Sequence, residues 1–205
     1  MPTLTGMTEE PQPRKVHHLN PRSLRGLAHP LRMRLLTSLR HDGPGTASQL
    51  AARLGESSGA TSYHLRQLAE YGFVEDDPER GKGRERWWRS THQGTWTDEG
   101  LLRNPNPEVR GALDTLLHEY ATQRSQEVST WLGTRHEWSQ EWIEAADTSD
   151  FTLTLTPALA SELSHRVHEL IESYRALAPE PDTPDVAKVR VHSHVFPTRP
   201  RGESD

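Results

Sequence analysis

Two short helical patterns separated by a turn occupy residues 47–71, and they constrain the fold more than any other part of the chain. The first pattern ends at Gly55, the residue type that most readily adopts the left-handed conformation after a helix. The second begins at Ser57 or Ser58, whose hydroxyl groups can cap a helix, and stops at Gly72. Two helices joined by a turn of about four residues predict a helix-turn-helix. The expected inner faces are Ala47, Leu50, Ala51 and Leu54, then Ala60 or Thr61, His64 or Leu65, Leu68 and Tyr71.

A β-hairpin is predicted directly after the second helix. Residues 74–76 and 84–89 have the composition of strands, and the connection 77–83 is rich in glycine and charged side chains. A hairpin with a basic tip in this position is a wing. The sequence therefore predicts a winged helix-turn-helix domain over residues 17–95.

Two further helices are predicted before this motif. Leucines recur at helical spacing through residues 21–39. Pro30 has no amide hydrogen and restricts the residue before it, so the pattern is expected to divide there. Residues 1–16 are rich in proline and threonine, and we expect a disordered tail.

A long helical pattern runs from Pro107 to about Ala146, with apolar residues three and four positions apart. A helix of that length measures roughly 60 Å, which is too long for this chain alone to bury its apolar stripe. A partner helix from a second subunit would solve the problem. Residues 96–150 are therefore interpreted as a linker and a dimerisation helix, although Gly133 leaves two consecutive helices open.

Residues 151–205 are predicted to form a small β-α-β unit. Residues 151–156 and 189–196 alternate apolar and polar side chains, as half-buried strands do. Thr156 and Pro157 suit the start of a helix that extends to about Ala178. The expected fold class is mainly α (α+β): a winged helix-turn-helix, a long dimerisation helix and this C-terminal unit.

The charge is divided unevenly along the chain. The net charge is −5, yet residues 14–91 contain 14 Lys and Arg against 8 Asp and Glu, whereas residues 92–205 contain 10 against 19. A basic half joined to an acidic half suggests a module that binds a polyanion and a second module that senses or binds a partner. An unevenly charged solvated surface is the alternative.

Several function classes are not expected. The chain has no cysteine, which excludes disulfides, thiolate metal sites and cysteine nucleophiles. It has no phosphate-binding glycine loop, no Gly-x-Ser-x-Gly and no His-Glu-x-x-His, so we do not expect an enzyme. The apolar runs are too short to span a membrane, and the N-terminus lacks the pattern of a signal peptide. A cytoplasmic location is therefore expected.

The residues of the second helix suit a recognition helix that enters the major groove of duplex DNA. Small polar residues at its leading end would allow close approach, and longer side chains would reach base edges or phosphates. Cations on the wing would contact the DNA backbone or minor groove. An ordinary amphipathic helix, or a winged helix used for protein contact, remains as an alternative. The candidate residues are Ser57, Ser58, Gly59, Ser62, Tyr63, Arg66 and Gln67 on the helix, and Arg80, Lys82, Arg84 and Arg86 on the wing.

Several ordered runs within residues 17–91 resemble ArsR-type winged-helix regulators. The resemblance implies a homodimer that binds a roughly palindromic operator and represses transcription. It implies nothing about the role of the remaining C-terminal residues. The runs are His29-Pro30-Leu31-Arg32, Ala47-Ser48-Gln49-Leu50-Ala51, residues 57–68 and Gly72-Phe73-Val74. Residues 57–66 and Gly83-Arg84-Glu85-Arg86-Trp87-Trp88 look like an actinobacterial branch of that family.

Many ArsR-type proteins sense metals, but neither a metal site nor a cofactor is expected here. The thiolate site requires cysteine, and the histidines on the long helix lack the spacing of the family's histidine–carboxylate site. An aromatic stripe with two arginines suggests instead a pocket for a small organic effector. A dimer or domain core is the alternative use of that stripe, and regulation by a protein partner alone is also open. The candidate pocket residues are Tyr120, Arg124, Trp131, Arg135, Trp138 and Trp142.

Overall fold

A computed structural model describes residues 15–80, 85–180 and 183–198. The predictions for Lys82 and Arg84, and for the tail as far as Arg14, fall outside the described residues. The chain divides into two units between Trp131 and Leu132. The elements are β1 (Val16–His18), α1 (Pro21–Leu27), α2 (Pro30–His41), β2 (Gly45–Thr46), α3 (Ala47–Leu54), α4 (Ser58–Glu70), β3 (Val74–Asp76), β4 (Trp87–Ser90), β5 (Gly94–Trp96), α5 (Glu99–Leu102), α6 (Pro107–Thr134), α7 (Gln140–Ala145) and α8 (Pro157–Arg175).

Pro30 divides the first helical pattern into α1 and α2, as predicted. Between the two helices His29 is extended (φ −152°, ψ 128°), and its Nδ1 accepts a hydrogen bond from the backbone N–H of Leu31 at 3.2 Å. Proline in the first turn of α2 costs no hydrogen bond, because the N–H groups there have no partner within the helix.

The helix-turn-helix forms with the predicted caps. The hydroxyl of Thr46 accepts a hydrogen bond from the backbone of Gln49 at 3.3 Å and begins α3, and Gly55 ends that helix in the left-handed conformation (φ 67°). The hydroxyl of Ser57 accepts a hydrogen bond from the backbone of Ala60 at 3.2 Å and begins α4. Such caps satisfy N–H groups that would otherwise lack partners, and each contributes about 1 kcal/mol.

Leucines from α1 to α4 form the core of the first unit, and a fully buried leucine contributes about 1.5–3 kcal/mol. Val109, Leu113 and Leu116 from α6 are buried in the same core. The face of α6 that carries these three residues therefore packs on its own chain and needs no partner subunit to cover it. The fully buried residues at the centre include Leu24, Leu27, Leu35, Leu36, Leu50, Leu65, Leu68 and Phe73.

A three-stranded antiparallel sheet, in the order β2-β4-β3, carries the predicted hairpin. Asp76 and Gly45 each lie opposite Trp88, on either side of β4. Strand β4 begins at Trp87 and not at Arg84 as predicted. The preceding Glu85 and Arg86 are exposed and make no ladder, which shortens the hairpin.

A second, parallel pair joins β1 to β5 and was not predicted. Val16 lies opposite Gly94, and the ring of His17 packs 4.4 Å from that of Phe73. Val16, which the predicted tail included, is therefore part of a strand. Strands of three residues are too short to show an alternation in the sequence.

The long helical pattern forms one helix to Thr134, followed by a 3-10 turn and then α7. The prediction of one uninterrupted helix to Ala146 is therefore wrong. The structure has the break near Gly133 that the sequence left open as an alternative. At the break Trp138 is extended (ψ 156°), and the hydroxyl of Ser139 accepts a hydrogen bond from the backbone of Trp142, which caps α7.

The predicted helix of the second unit forms, but its two flanking strands do not. Thr156 caps α8 as expected. The described residues of 151–156 and 189–196 contain no strand, and their apolar side chains are exposed, with Phe151 at 79% and Val191 at 62%. An alternating pattern makes a strand only where a neighbouring strand and an apolar surface receive it. The β-α-β unit is therefore wrong in its strands, while the mainly α (α+β) class is confirmed.

Among the described residues, every helix is too short or too polar to cross a membrane.

Candidate nucleic-acid interface

The leading end of α4 consists of small, exposed polar residues. Ser57, Ser58 and Gly59 are exposed, and Ser62 is half-buried one turn later. A Cβ atom added at Gly59 would meet no atom within 4 Å, so this end of the helix faces open space. The free N–H groups of the first turn give it a partial positive charge. A negatively charged ligand can therefore come close to this end of the helix.

Three longer side chains continue this surface along α4. Tyr63 is 54% exposed, Arg66 is exposed and Gln67 is half-buried. The Nε of Arg66 donates a hydrogen bond to the carbonyl of Ser62 at 3.2 Å, and Gln67 donates to Glu70 at 3.4 Å. The opposite face of α4 is buried in the core, which fixes the direction in which these side chains point.

An open groove of about 450 Å³ lies between α4, the start of α3 and the hairpin. Arg66 lines it from α4, and Arg86 lines it from the hairpin. Cations from two elements therefore face the same space. The other lining residues are Thr46, Ala47, Ser48, Ser62, Glu85 and Trp88.

The described wing arginines are not free cations. Arg80 lies 3.7 Å from the carboxylate of Asp77, which is buried, and Arg86 lies 2.9 Å from that of Asp76. The guanidinium of Arg86 also lies over the ring of Trp88, 4.1 Å from its centroid. The wing therefore presents paired arginines along its described length.

Sequence comparison finds the same domain. A family model described as a helix-turn-helix domain matches residues 27–77. A solved structure titled "Crystal structure of Possible transcriptional regulator for arsenical resistance" is 31% identical, and the match covers 48% of this chain and 82% of that chain. The chain belongs to the helix-turn-helix transcriptional regulators. The match agrees with the ArsR-like resemblance of the sequence, and the actinobacterial branch stays a prediction.

Other solved regulators are more distant. The first structure superimposes on this regulator with a TM-score of 0.30. The transcriptional regulator Tm0710 from Thermotoga maritima is 11% identical, with 78% of this chain and 85% of that chain covered and a TM-score of 0.29. A variant of ZitR from Lactococcus lactis is 14% identical, with 71% and 73% covered and a TM-score of 0.27. Scores this low add no argument about the fold. No curated protein sequence matches the chain significantly.

Sequence reasoning did not propose several residues of the groove region as site candidates: Thr46, Ala47, Ser48, Asp76, Glu85 and Trp88. Ser48 and Glu85 line the groove, and Asp76 pairs with Arg86. Asp76 lies directly opposite Trp88 in the antiparallel register, and Arg86 precedes that tryptophan by two residues. Alternate residues of an extended chain share a face. If the hairpin register had been known, the sequence would therefore have predicted that Asp76 and Arg86 lie close together.

A pair of histidines lies where α2 meets α4. The rings of His29 and His64 lie 4.4 Å apart, and the Nδ1 of His64 is buried with no hydrogen-bond partner among the described residues. Burial lowers the pKa of both histidines, and the positive charge of nearby Arg32 lowers each further, while Glu56 raises that of His64. These rings are therefore held neutral where α2 meets α4.

Five of the six predicted pocket residues make contacts within their own unit. In the first unit the hydroxyl of Tyr120 lies 3.1 Å from that of Thr95, and Arg124 lies 6.0 Å from the Tyr120 ring centroid. In the second unit Trp138 and Trp142 meet edge to face at 6.2 Å. Arg135 of the second unit is exposed and donates a hydrogen bond to the carbonyl of Leu132 at 3.4 Å, and Trp131 is half-buried. The effector pocket stays a prediction.

The part of the chain that the structure describes contains no group of three or more His, Asp or Glu side chains that could hold a metal ion.

Proposed function

We propose that this regulator represses transcription by binding a roughly palindromic operator in duplex DNA as a homodimer. The observation that carries the proposal is the groove between α4 and the hairpin. It combines small residues at the start of α3 and Ser62 of α4 with one cation from α4, Arg66, and one from the hairpin, Arg86. This shape and charge suit a DNA backbone that passes beside a helix in the major groove.

In this proposal the leading end of α4 enters the major groove. Gly59 and Ser62 allow the backbone to come close, and Tyr63, Arg66 and Gln67 reach base edges or phosphates. The hairpin follows the adjacent backbone with Arg80, Arg86 and the predicted contacts Lys82 and Arg84. Phosphate contacts supply affinity, and base contacts select the sequence.

The homodimer is supported by apolar residues of α6 that stay exposed within the first unit. Leu117 is 46% exposed and Val128 is 40% exposed. They are eleven residues apart, about three helical turns, so they lie on one face. Two chains joined through this face would present two α4 helices to half-sites about 34–36 Å apart, or multiples of that spacing. A bound dimer would then block access to the promoter.

Binding to selected and random DNA tests the proposal. The full chain is used to enrich a duplex from a random library, and fluorescence anisotropy then compares that duplex with a random one across salt concentrations. We expect preference for the selected duplex of about 10³-fold or more, with a steep decline in affinity as salt rises. Two related half-sites should appear in the enriched sequence. Equal weak binding to both duplexes would contradict the proposal.

A second candidate function concerns the C-terminal residues. Trp138 is 43% exposed and contacts Trp142, and exposed aromatic rings favour contact with a small organic ligand or a protein partner. We propose such sensing as the alternative role, with the winged helix used in part for protein contact. Quenching of tryptophan fluorescence by small aromatic acids, lost in Trp138→Ala, would support it. Neither a catalytic role nor a membrane partner is part of either proposal, and a cytoplasmic location stays a prediction.

A further inference from the structure

Three consecutive acidic residues lie at the end of strand β3 and directly after it, and each pairs with an arginine of the same hairpin. All three ion pairs are at least partly open to solvent, and pairs of that kind contribute little to stability. Their main consequence is for the charge and the position of the arginines. The pairs are Glu75 with Arg89 at 2.9 Å, Asp76 with Arg86 at 2.9 Å, and Asp77 with Arg80 at 3.7 Å.

Arg86 stands apart from the other two arginines because it lines the groove beside α4. Two contacts hold it there. Its Nε donates a hydrogen bond to Asp76 at 2.9 Å, and its guanidinium lies 4.1 Å from the ring centroid of Trp88, which is only 3% exposed. Asp76 and Trp88 face each other across β3 and β4. The guanidinium is thus fixed between a carboxylate and a buried ring.

The contact with Asp76 has two effects on DNA binding. It fixes the plane of the Arg86 guanidinium, which keeps four N–H donors besides the Nε–H. A fixed plane favours hydrogen bonds of defined direction over a general attraction between charges. It also places a negative charge beside the cation. Sequence-independent binding to DNA depends on the number of phosphates that cations neutralise. A carboxylate at this point therefore weakens attraction to any duplex.

We propose that Asp76 is a positioning and specificity-determining residue for DNA recognition. It holds Arg86 against Trp88 in the groove and reduces affinity for non-operator DNA, so that selectivity rises. The inference rests on the proposed function, because it concerns how the same site separates operator from random DNA. Glu75 and Arg89 make a pair of equal length outside the groove, and this pair supplies a matched control.

The test compares Asp76→Asn with Glu75→Gln in the full chain, using the selected and random duplexes. Both variants remove one negative charge from β3. For Asp76→Asn we expect random-duplex affinity to rise about 3- to 10-fold, with the salt dependence steeper by about one phosphate (≈0.9 in slope). Affinity for the selected duplex should rise less, so that the selectivity ratio falls. Glu75→Gln should leave that ratio unchanged.

A double-mutant cycle separates positioning from net charge. In the Arg86→Ala variant, a further Asp76→Asn change should no longer alter the selectivity ratio. In the otherwise wild-type protein, Asp76→Glu, which keeps the carboxylate, should keep most of the wild-type selectivity ratio. Equal effects of Asp76→Asn and Glu75→Gln on both duplexes would overturn the inference and leave the proposed function intact. Wild-type protein that fails to prefer the selected duplex would overturn the proposed function and this inference with it. Thermal melts that match the wild type confirm folding of each variant.

Discussion

The ring of His64, on α4, lies 4.4 Å from the ring of His29, the residue that caps α2. Burial is the main cause of the lowered pKa of both, and Arg32 adds to it. His17 and His92 form a second pair, with ring centroids 5.0 Å apart, and burial lowers the pKa of both there too. Protonation of these rings is therefore disfavoured in the folded protein.

We predict that the regulator loses stability as pH falls below about 6.5, the ordinary histidine pKa. Above that pH the rings are neutral in the folded and the unfolded chain, and no penalty arises. Below it the unfolded chain binds more protons, so the free energy of unfolding decreases until the pH reaches the lowered folded-state pKa values. Urea denaturation at pH 7.5 and pH 5.5 measures the difference.

The two residues of the first pair can be tested separately. His64→Gln, and His29→Asn, which keeps a side chain suited to an N-cap, should each reduce the loss of stability between the two pH values. His168→Gln, an exposed position on α8, is the control. A pH dependence that neither variant changes would show that this pair does not contribute to it.

Gly26→Ala should destabilise the first unit. A Cβ atom at Gly26 would lie 2.4 Å from Cγ and Cδ2 of Tyr71 and 2.7 Å from Cδ1, too close for real atoms. The near end of the ring is attached to the backbone and cannot swing aside, so α1 and α4 must separate. We expect a loss of about 1–3 kcal/mol in the free energy of unfolding. In Gly111→Ala, where the added atom meets nothing within 4 Å, stability should be unchanged or higher.

Arg66→Ala should weaken DNA binding without affecting folding. Arg66 lines the groove and is exposed, so its loss removes a contact with a base edge or a phosphate. We expect a reduction in affinity of about 1–3 kcal/mol, and a shallower salt slope if the partner is a phosphate. Arg103→Ala, an exposed arginine outside the groove, serves as the comparison in anisotropy measurements. If Arg66→Ala and Arg103→Ala bind DNA with equal affinity, the groove beside α4 is not the DNA-binding surface.

Gly59→Leu tests the close approach of α4 to DNA. The added side chain has open space in the free protein, so the melting temperature should change little. It would stand between the helix backbone and the floor of the major groove, and affinity should fall more than 10-fold, about 1.4 kcal/mol. Wild-type affinity in this variant would contradict insertion of the leading end. Gly111→Ala again provides a folded control.

Val128→Glu should shift the proposed homodimer toward monomer. A charge on the face shared with Leu117 would have to be desolvated at an apolar interface. Ser129→Glu places the same charge at an exposed polar position next in sequence, and it should leave the dimer intact. Analytical ultracentrifugation compares the two. Equal sedimentation of both variants as stable dimers would remove this face from the interface.

The N-terminal fold was predictable because its signals are local. Thr46, Ser57 and Gly55 mark helix ends by their own chemistry, and Pro30 marks a division by its missing N–H. The C-terminal strands failed because alternation around Phe151 and Val191 requires a partner strand that no local pattern supplies. The candidate residues of α4 followed from its position in the motif. The pairing of Asp76 with Arg86 could not be predicted in this way, because it depends on the hairpin register, which the residues of the hairpin tip do not determine.

The parallel pair of β1 and β5 has a consequence for how the protein is made. Val16 pairs with Gly94, which lies 78 positions later (94 − 16), so the strand nearest the start of the winged helix receives its partner last. During synthesis, at about 5–20 residues per second, β1 leaves the ribosome several seconds before β5. All residues of α4 are therefore synthesised before β1 and β5 can pair, and the core residues of α6 follow later still.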